Sequence, residues 1–155
     1  MATNERLADV LNDLIQINND RVVGYEKAAD EAKNVDVDLI ATFNKMADDS
    51  RRYVAELAKE VHNLGELPAG GTTNSGKLYR AWMDVKNTFT SHDRQSILES
   101  CEFGEDAAQK AYDAALASDA EINADVRQLI TEQKAELKTA HDLIKKYRDV
   151  HEAVN

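Results

Sequence analysis

Apolar residues return along the chain at steps of three and four. Leu7, Leu11, Leu14, Val22, Tyr25 and Ala29 fall on one face of a helix over about residues 4–32. A second stripe runs through Leu39, Ile40, Phe43, Met46, Ala47, Val54, Leu57, Val61 and Leu64. Asp36 stands before it as a helix-capping residue and Gly65 ends it, which predicts a helix over 37–64. At 1.5 Å per residue each helix is roughly 40 Å long, and the few residues between them force an antiparallel hairpin.

The stretch ELPAGGTTNSG, residues 66–76, holds the only Pro and much of the Gly, so it reads as a loop. Leu78, Trp82, Val85 and Phe89 then predict a short crossing helix anchored by Trp82. Thr90 and Asp93 resemble a capping box ahead of Ile97, Cys101, Ala108, Tyr112 and Ala115, a helix over 91–117. Ile122, Val126, Leu129, Ile130, Leu137, Ile144 and Tyr147 predict the last helix over 121–150. Four long amphipathic helices with one long connection between the second and third indicate an all-α, ferritin-like four-helix bundle whose crossover contains a short extra helix. Up-and-down connectivity is the alternative.

Composition narrows the function classes. The chain of 155 residues carries 29 acidic and 19 basic side chains, a formal charge of -10. That length suits one domain over residues 1–155. The acidic balance argues against nucleic acid and anionic membranes, since binding phosphates needs a basic surface to release counterions. No run approaches the roughly 20 apolar residues of a membrane span. One cysteine, Cys101, cannot close an intrachain disulfide, and the polar start MATNERLADV does not read as a signal peptide, so the expected compartment is the cytoplasm.

Candidate chemistry lies where polar residues interrupt the apolar stripes. Carboxylate di-iron and di-manganese bundles use a Glu from each of two helices and a Glu-x-x-His pair from each of the others. Lys59, Phe89, Lys138 and Arg148 stand three positions before the four histidines, so that pair is absent. A weaker set remains. Glu99, Glu102 and Glu105 follow one another at three-residue steps, with Glu105 on the apolar stripe and Glu102 at its edge. Reflection about the turn near Asp119 sets Glu105 level with Gln133 and Lys134, and reflection near Val35 sets Asn18 level with residues 50–52. A polar layer therefore crosses the interior. It is either a hydrogen-bonded core layer with Arg51 or Arg52 as counter-ion, or a site for iron or manganese built from Glu26, Glu102 and Glu105 with help from Gln133 or His141. A small-ligand cleft is a third reading.

Other arrangements are weaker. Cys101 on the buried stripe behaves as a small hydrophobe. The loop AGGTTNSG lacks the Lys and preceding strand of a phosphate-binding loop. Arg80 and Lys86 beyond it could form a small anion spot at the bundle end. The charge runs EKAADEAK and KKYRDVHE are solvated helix faces.

Several segments carry a family likeness: NDLIQINNDRVVGYEKAA, SGKLYRAWMDVK, ILESCEFGEDAA and the His141–Asp142 pair. Together they resemble a bacterial ferritin-like four-helix-bundle family of unassigned function, related in fold to the rubrerythrins. The most specific pieces are Arg80, Trp82 and Lys86, and Cys101-Glu102 followed by Gly104-Glu105-Asp106; Tyr79 stands where the pattern would place a His. The resemblance implies the fold, a metal-binding ancestry and a stress-associated protein without a demonstrated reaction. The expected function is a non-enzymatic ferritin-like protein with a degenerate metal site, acting through assembly or partner contact. The alternative is a di-metal protein that handles iron or manganese, with peroxide or dioxygen as co-reactant. A homodimer through an outer face containing Ile15, Val23 or Phe103 is the expected assembly.

Overall fold

The computed structural model describes residues 2–33, 35–70 and 93–154. They form four helices: α1 (Ala2–Ala32), α2 (Val37–Asn63), α3 (Arg94–Leu116) and α4 (Ala124–Val154). Local chemistry fixes their ends. Asp36 sits in extended backbone and its carboxylate accepts the Asp38 N–H at 3.0 Å, the N-cap of α2. At the other end Gly65 takes φ 77°, while its N–H reaches the His62 carbonyl and that of Glu66 reaches Val61. These paired bonds close the last turn of α2, and they require the left-handed conformation that glycine adopts without strain.

Asp93 caps α3, accepting the Ser96 N–H at 2.8 Å. The helix accordingly starts at Arg94, three residues later than the Thr90 capping-box pattern suggests. Asn123 caps α4 by accepting from Val126 N–H at 2.9 Å, so that helix also starts three residues late, at Ala124. The short crossing helix, Trp82, Tyr79, Arg80 and Lys86 lie outside the described residues.

Connectivity follows from which helices touch. α1 packs against both α2 and α3, α3 packs against α4, and α2 approaches α4 least closely, while α2 and α3 are not neighbours. An up-and-down bundle would place α2 beside α3, so that alternative is excluded. The chain leaves α2 beside the start of α1, where Asn12 accepts from Ala69 N–H at 2.8 Å and donates to the Leu67 carbonyl at 3.2 Å. It re-enters at the opposite end, where Arg94 meets Asp36 at 2.7 Å. The end of α2 and the start of α3 thus lie at opposite ends of the bundle, as in ferritin-like folds.

Because α1 contacts two helices, its buried face is wide. Leu14 and Ile15 are both buried, which removes Ile15 from any outer apolar patch; Phe103 on α3 remains 44% exposed. The core falls into two apolar clusters. One gathers Tyr25, Ala29, Leu39, Phe43, Ile97, Leu98 and Ile144. The other gathers Leu7, Leu11, Leu57, Val61, Tyr112, Val126 and Ile130. Between them lies a layer of buried polar side chains.

Candidate functional site

Each helix contributes to this layer through a polar residue set on its apolar stripe. Asn18 and Arg21 come from α1, Ser50 from α2, Glu105 from α3 and Gln133 from α4, each no more than 1% exposed. The centre is an ion pair. Arg21 Nε donates to Glu105 Oε1 at 2.7 Å and its Nη2 donates to Oε2 at 2.9 Å, the bidentate geometry of guanidinium with carboxylate. The Tyr25 hydroxyl donates to the same Oε2 at 2.9 Å, and its ring lies 5.0 Å from the guanidinium carbon. Arg21 Nη1 donates to the Met46 carbonyl at 3.0 Å and to Ser50 Oγ at 2.7 Å.

The layer continues toward α4. Ser50 donates to Asn18 Oδ1 at 3.0 Å, and Asn18 Nδ2 donates to the Leu14 carbonyl and to the Tyr112 hydroxyl at 2.8 Å. Tyr112 donates to Gln133 Oε1 at 2.6 Å, and Gln133 Nε2 donates to Glu56 Oε1 at 3.0 Å. At the surface Arg52 lies 3.6 Å from Glu56 and 2.6 Å from Glu136, which also accepts from Tyr53.

Electrostatics follow from this burial. Desolvation works against the Arg21 charge, but the adjoining Glu105 carboxylate outweighs it and raises the arginine pKa. Burial, reinforced by Glu105, pushes the Tyr25 hydroxyl and the Cys101 thiol well above their usual values. Both stay protonated at neutral pH, which leaves Cys101 without thiolate character.

The residues expected to hold a metal do not converge. Glu26 is exposed and pairs with Arg51 at 2.6 Å. Glu102 pairs with Arg148 at 2.6 Å. Glu105 has both oxygens on Arg21. Gln133 meets Tyr112 and Glu56 rather than Glu105, and His141 lies between Asp106 and Asp142 on the α3–α4 face. Among the described residues no three His, Cys, Asp or Glu side chains are grouped to hold a metal ion. A di-metal centre needs several anionic oxygens aimed at one point, whereas this layer aims a guanidinium at the buried Glu105 carboxylate. The residues present do not fit such a centre.

The counter-ion is therefore neither Arg51 nor Arg52, both of which are exposed. Arg21 was legible in principle: it stands three residues after Asn18 and four before Tyr25, both on the α1 stripe. Lone arginines are rarely placed inside a core, because only a paired carboxylate makes their burial tolerable.

A family described as a domain of unknown function, DUF2383, matches residues 6–118. The chain belongs to this family. Comparison with curated proteins gives no match. Among solved structures, a point mutant of Dps1 from Mycobacterium smegmatis superposes with a TM-score of 0.81 at 15% identity, covering 95% of this chain and 97% of that one. That likeness shows a shared ferritin-like fold. No described helix is long and apolar enough to cross a membrane.

His141 gives this DUF2383 bundle a pH-sensitive contact. Burial opposes its charged form, but hydrogen bonds to Asp142 and Asp106 outweigh that and raise its pKa above 6.5. Asp142 is lowered in turn by its bonds to Lys138 and His141. As imidazolium, both ring nitrogens donate. The raised folded pKa means this contact stabilises fully below the ordinary imidazole pKa and fades as pH rises through the folded value. Thermal unfolding from about pH 5.5 to 8.5 should show wild type losing stability relative to His141→Asn as pH rises; parallel profiles would refute the assignment.

Proposed function

We propose that this DUF2383 protein is a non-enzymatic ferritin-like bundle of the bacterial cytoplasm, in which a salt-bridged polar layer replaces a resident metal centre. It acts in stress physiology through assembly or partner contact. The observation that carries this reading is the Arg21–Glu105 pair. A metal ion at Glu105 would have to displace Arg21 and then share the interior with its unpaired charge, at a cost of several kcal/mol.

The experiment is reconstitution of untagged protein with iron(II) or manganese(II) without oxygen, followed by desalting, metal analysis and exposure to dioxygen. The expected result is no retained metal and iron(II) oxidation at the rate of buffer alone. Stoichiometric metal that disappears in Glu105→Ala would instead establish the second reading, a protein that handles iron or manganese through Glu105 and Glu102. What favours that second reading is one Glu102 oxygen, buried without a hydrogen-bond partner, three residues before Glu105 on α3.

Assembly is proposed as a homodimer through an outer face that includes Phe103 and Val23. An exposed aromatic ring on a long helix gains most from burial against a second copy. Sedimentation equilibrium at high concentration should return twice the chain mass, and Phe103→Glu should return the monomer. A wild-type monomer under the same conditions would remove the proposal.

A further inference from the structure

The hydrogen bonds of the interior layer run in one direction. From donor to acceptor they pass from Arg21 to Ser50, to Asn18, to Tyr112, to Gln133 and finally to Glu56. Hydroxyls can donate or accept, and carboxamides carry one group of each kind, so the middle of such a chain has no intrinsic direction. The ends impose it. A guanidinium only donates and an ionised carboxylate only accepts. Reversal would set donor against donor at Arg21 and acceptor against acceptor at Glu56.

Glu56 is also the member that solvent reaches. Its side chain is 37% exposed on the seam between α2 and α4, where helix contact is slightest. Polar side chains bridge that seam: Gln133 to the Tyr53 carbonyl and Glu56, and Arg52 and Tyr53 to Glu136. The charged and titratable groups that act on Glu56 are Arg52 on its own helix and Tyr112 on α3, and Arg52 in turn meets Glu136 on α4 and the Tyr53 ring.

We propose that Glu56 is a remote second counter-ion of the buried Arg21, and that the directed chain between them transmits the charge state of the α2–α4 seam into the bundle core. Aligned hydrogen bonds polarise one another, more so in a low-dielectric interior, so each link is tightened by a cation at one end and an anion at the other. Neutralising Glu56 removes the pull at the outer end. The links then loosen back toward Asn18. This rests on the structural reading of the layer and adds a route by which the surface acts on it.

The test is side-chain amide exchange measured by NMR on metal-free protein at neutral pH. Glu56→Gln should accelerate exchange of the Asn18 carboxamide by up to about twofold, since aligned bonds strengthen one another by roughly 10–30% each. Glu60→Gln, one turn further along α2, changes the surface charge equally and should leave Asn18 unchanged. In a Tyr112→Phe background, where the chain is cut, Glu56→Gln should no longer affect Asn18. An Asn18 amide unmoved by Glu56→Gln would overturn the proposal, and so would an equal response with the chain cut. Retained metal in the reconstitution experiment would refute the structural reading separately, since this comparison is made without metal.

Discussion

Arg21→Met is expected to lower the stability of the folded bundle by about 3–5 kcal/mol. The methionine fills much of the arginine's space, so the loss is electrostatic. It leaves the Glu105 carboxylate buried with the Tyr25 hydroxyl as its remaining hydrogen-bond donor. Against a typical total of about 5–15 kcal/mol, that is enough to unfold a large share of the protein at moderate temperature. Glu105→Gln should be damaging by the same reasoning, with the guanidinium as the uncompensated group. Urea unfolding measures both, and the account requires the midpoint to fall with little change in slope. Wild-type stability in Arg21→Met would mean that water reaches the layer and that the pair is not sealed.

Tyr112→Phe carries the second large effect, about 2–4 kcal/mol, taken as two buried polar groups losing a partner at about 1–3 kcal/mol each and partly relaxing. The hydroxyl both accepts from Asn18 and donates to Gln133. Its removal strands one amide hydrogen and one amide oxygen while leaving the ring packed. Tyr53→Phe is the control. That hydroxyl donates at 3.3 Å to Glu136, which is 48% exposed and can turn to water. Removing it should cost no more than about 1 kcal/mol. Urea titrations of the two variants side by side check the contrast, and equal losses would show that the layer is not the cooperative unit described here.

The fold was largely legible in the residue pattern because its signals are local and repeated. Asp36 and Gly65 marked the ends of α2, and the apolar stripes set the four helices. Less legible were the starts of α3 and α4, where single capping residues, Asp93 and Asn123, override the pattern around them. The polar layer was legible as a level in the bundle, since Asn18, Ser50, Glu105 and Gln133 interrupt apolar stripes and reflect onto one another across short turns. Its chemistry was not. Which partners meet depends on helix rotation and side-chain reach across the bundle, which one-dimensional reflection does not encode. Reflection paired Glu105 with Gln133, whereas a bidentate guanidinium draws Glu105 toward α1. The long reach of Tyr112 then brings α3 to Gln133.

The same limit explains the metal ligands. Glu26, Glu102 and His141 lie at the edges of their stripes, and an edge residue with a long side chain can turn inward to a cation or outward to an arginine. Here Arg51 and Arg148 draw the two glutamates, and Asp106 and Asp142 hold the histidine. In an acidic protein of charge -10, arginines placed beside these carboxylates decide the outcome.

The most direct test of the claim that the charged centre is structural and does not hold metal is the stability of Arg21→Met/Tyr25→Phe/Glu105→Leu, measured by urea unfolding with and without iron(II) or manganese(II). Removing both charges and the tyrosine hydroxyl together leaves no buried charge unpaired; the Met46 carbonyl and Ser50 Oγ lose their bonds from Arg21, and Ser50 keeps its bond to Asn18. The account predicts stability within about 1 kcal/mol of wild type, or above it, and no effect of metal on either protein. A triple variant as unstable as Arg21→Met alone, or a wild type stabilised by metal where the triple variant is not, would contradict it.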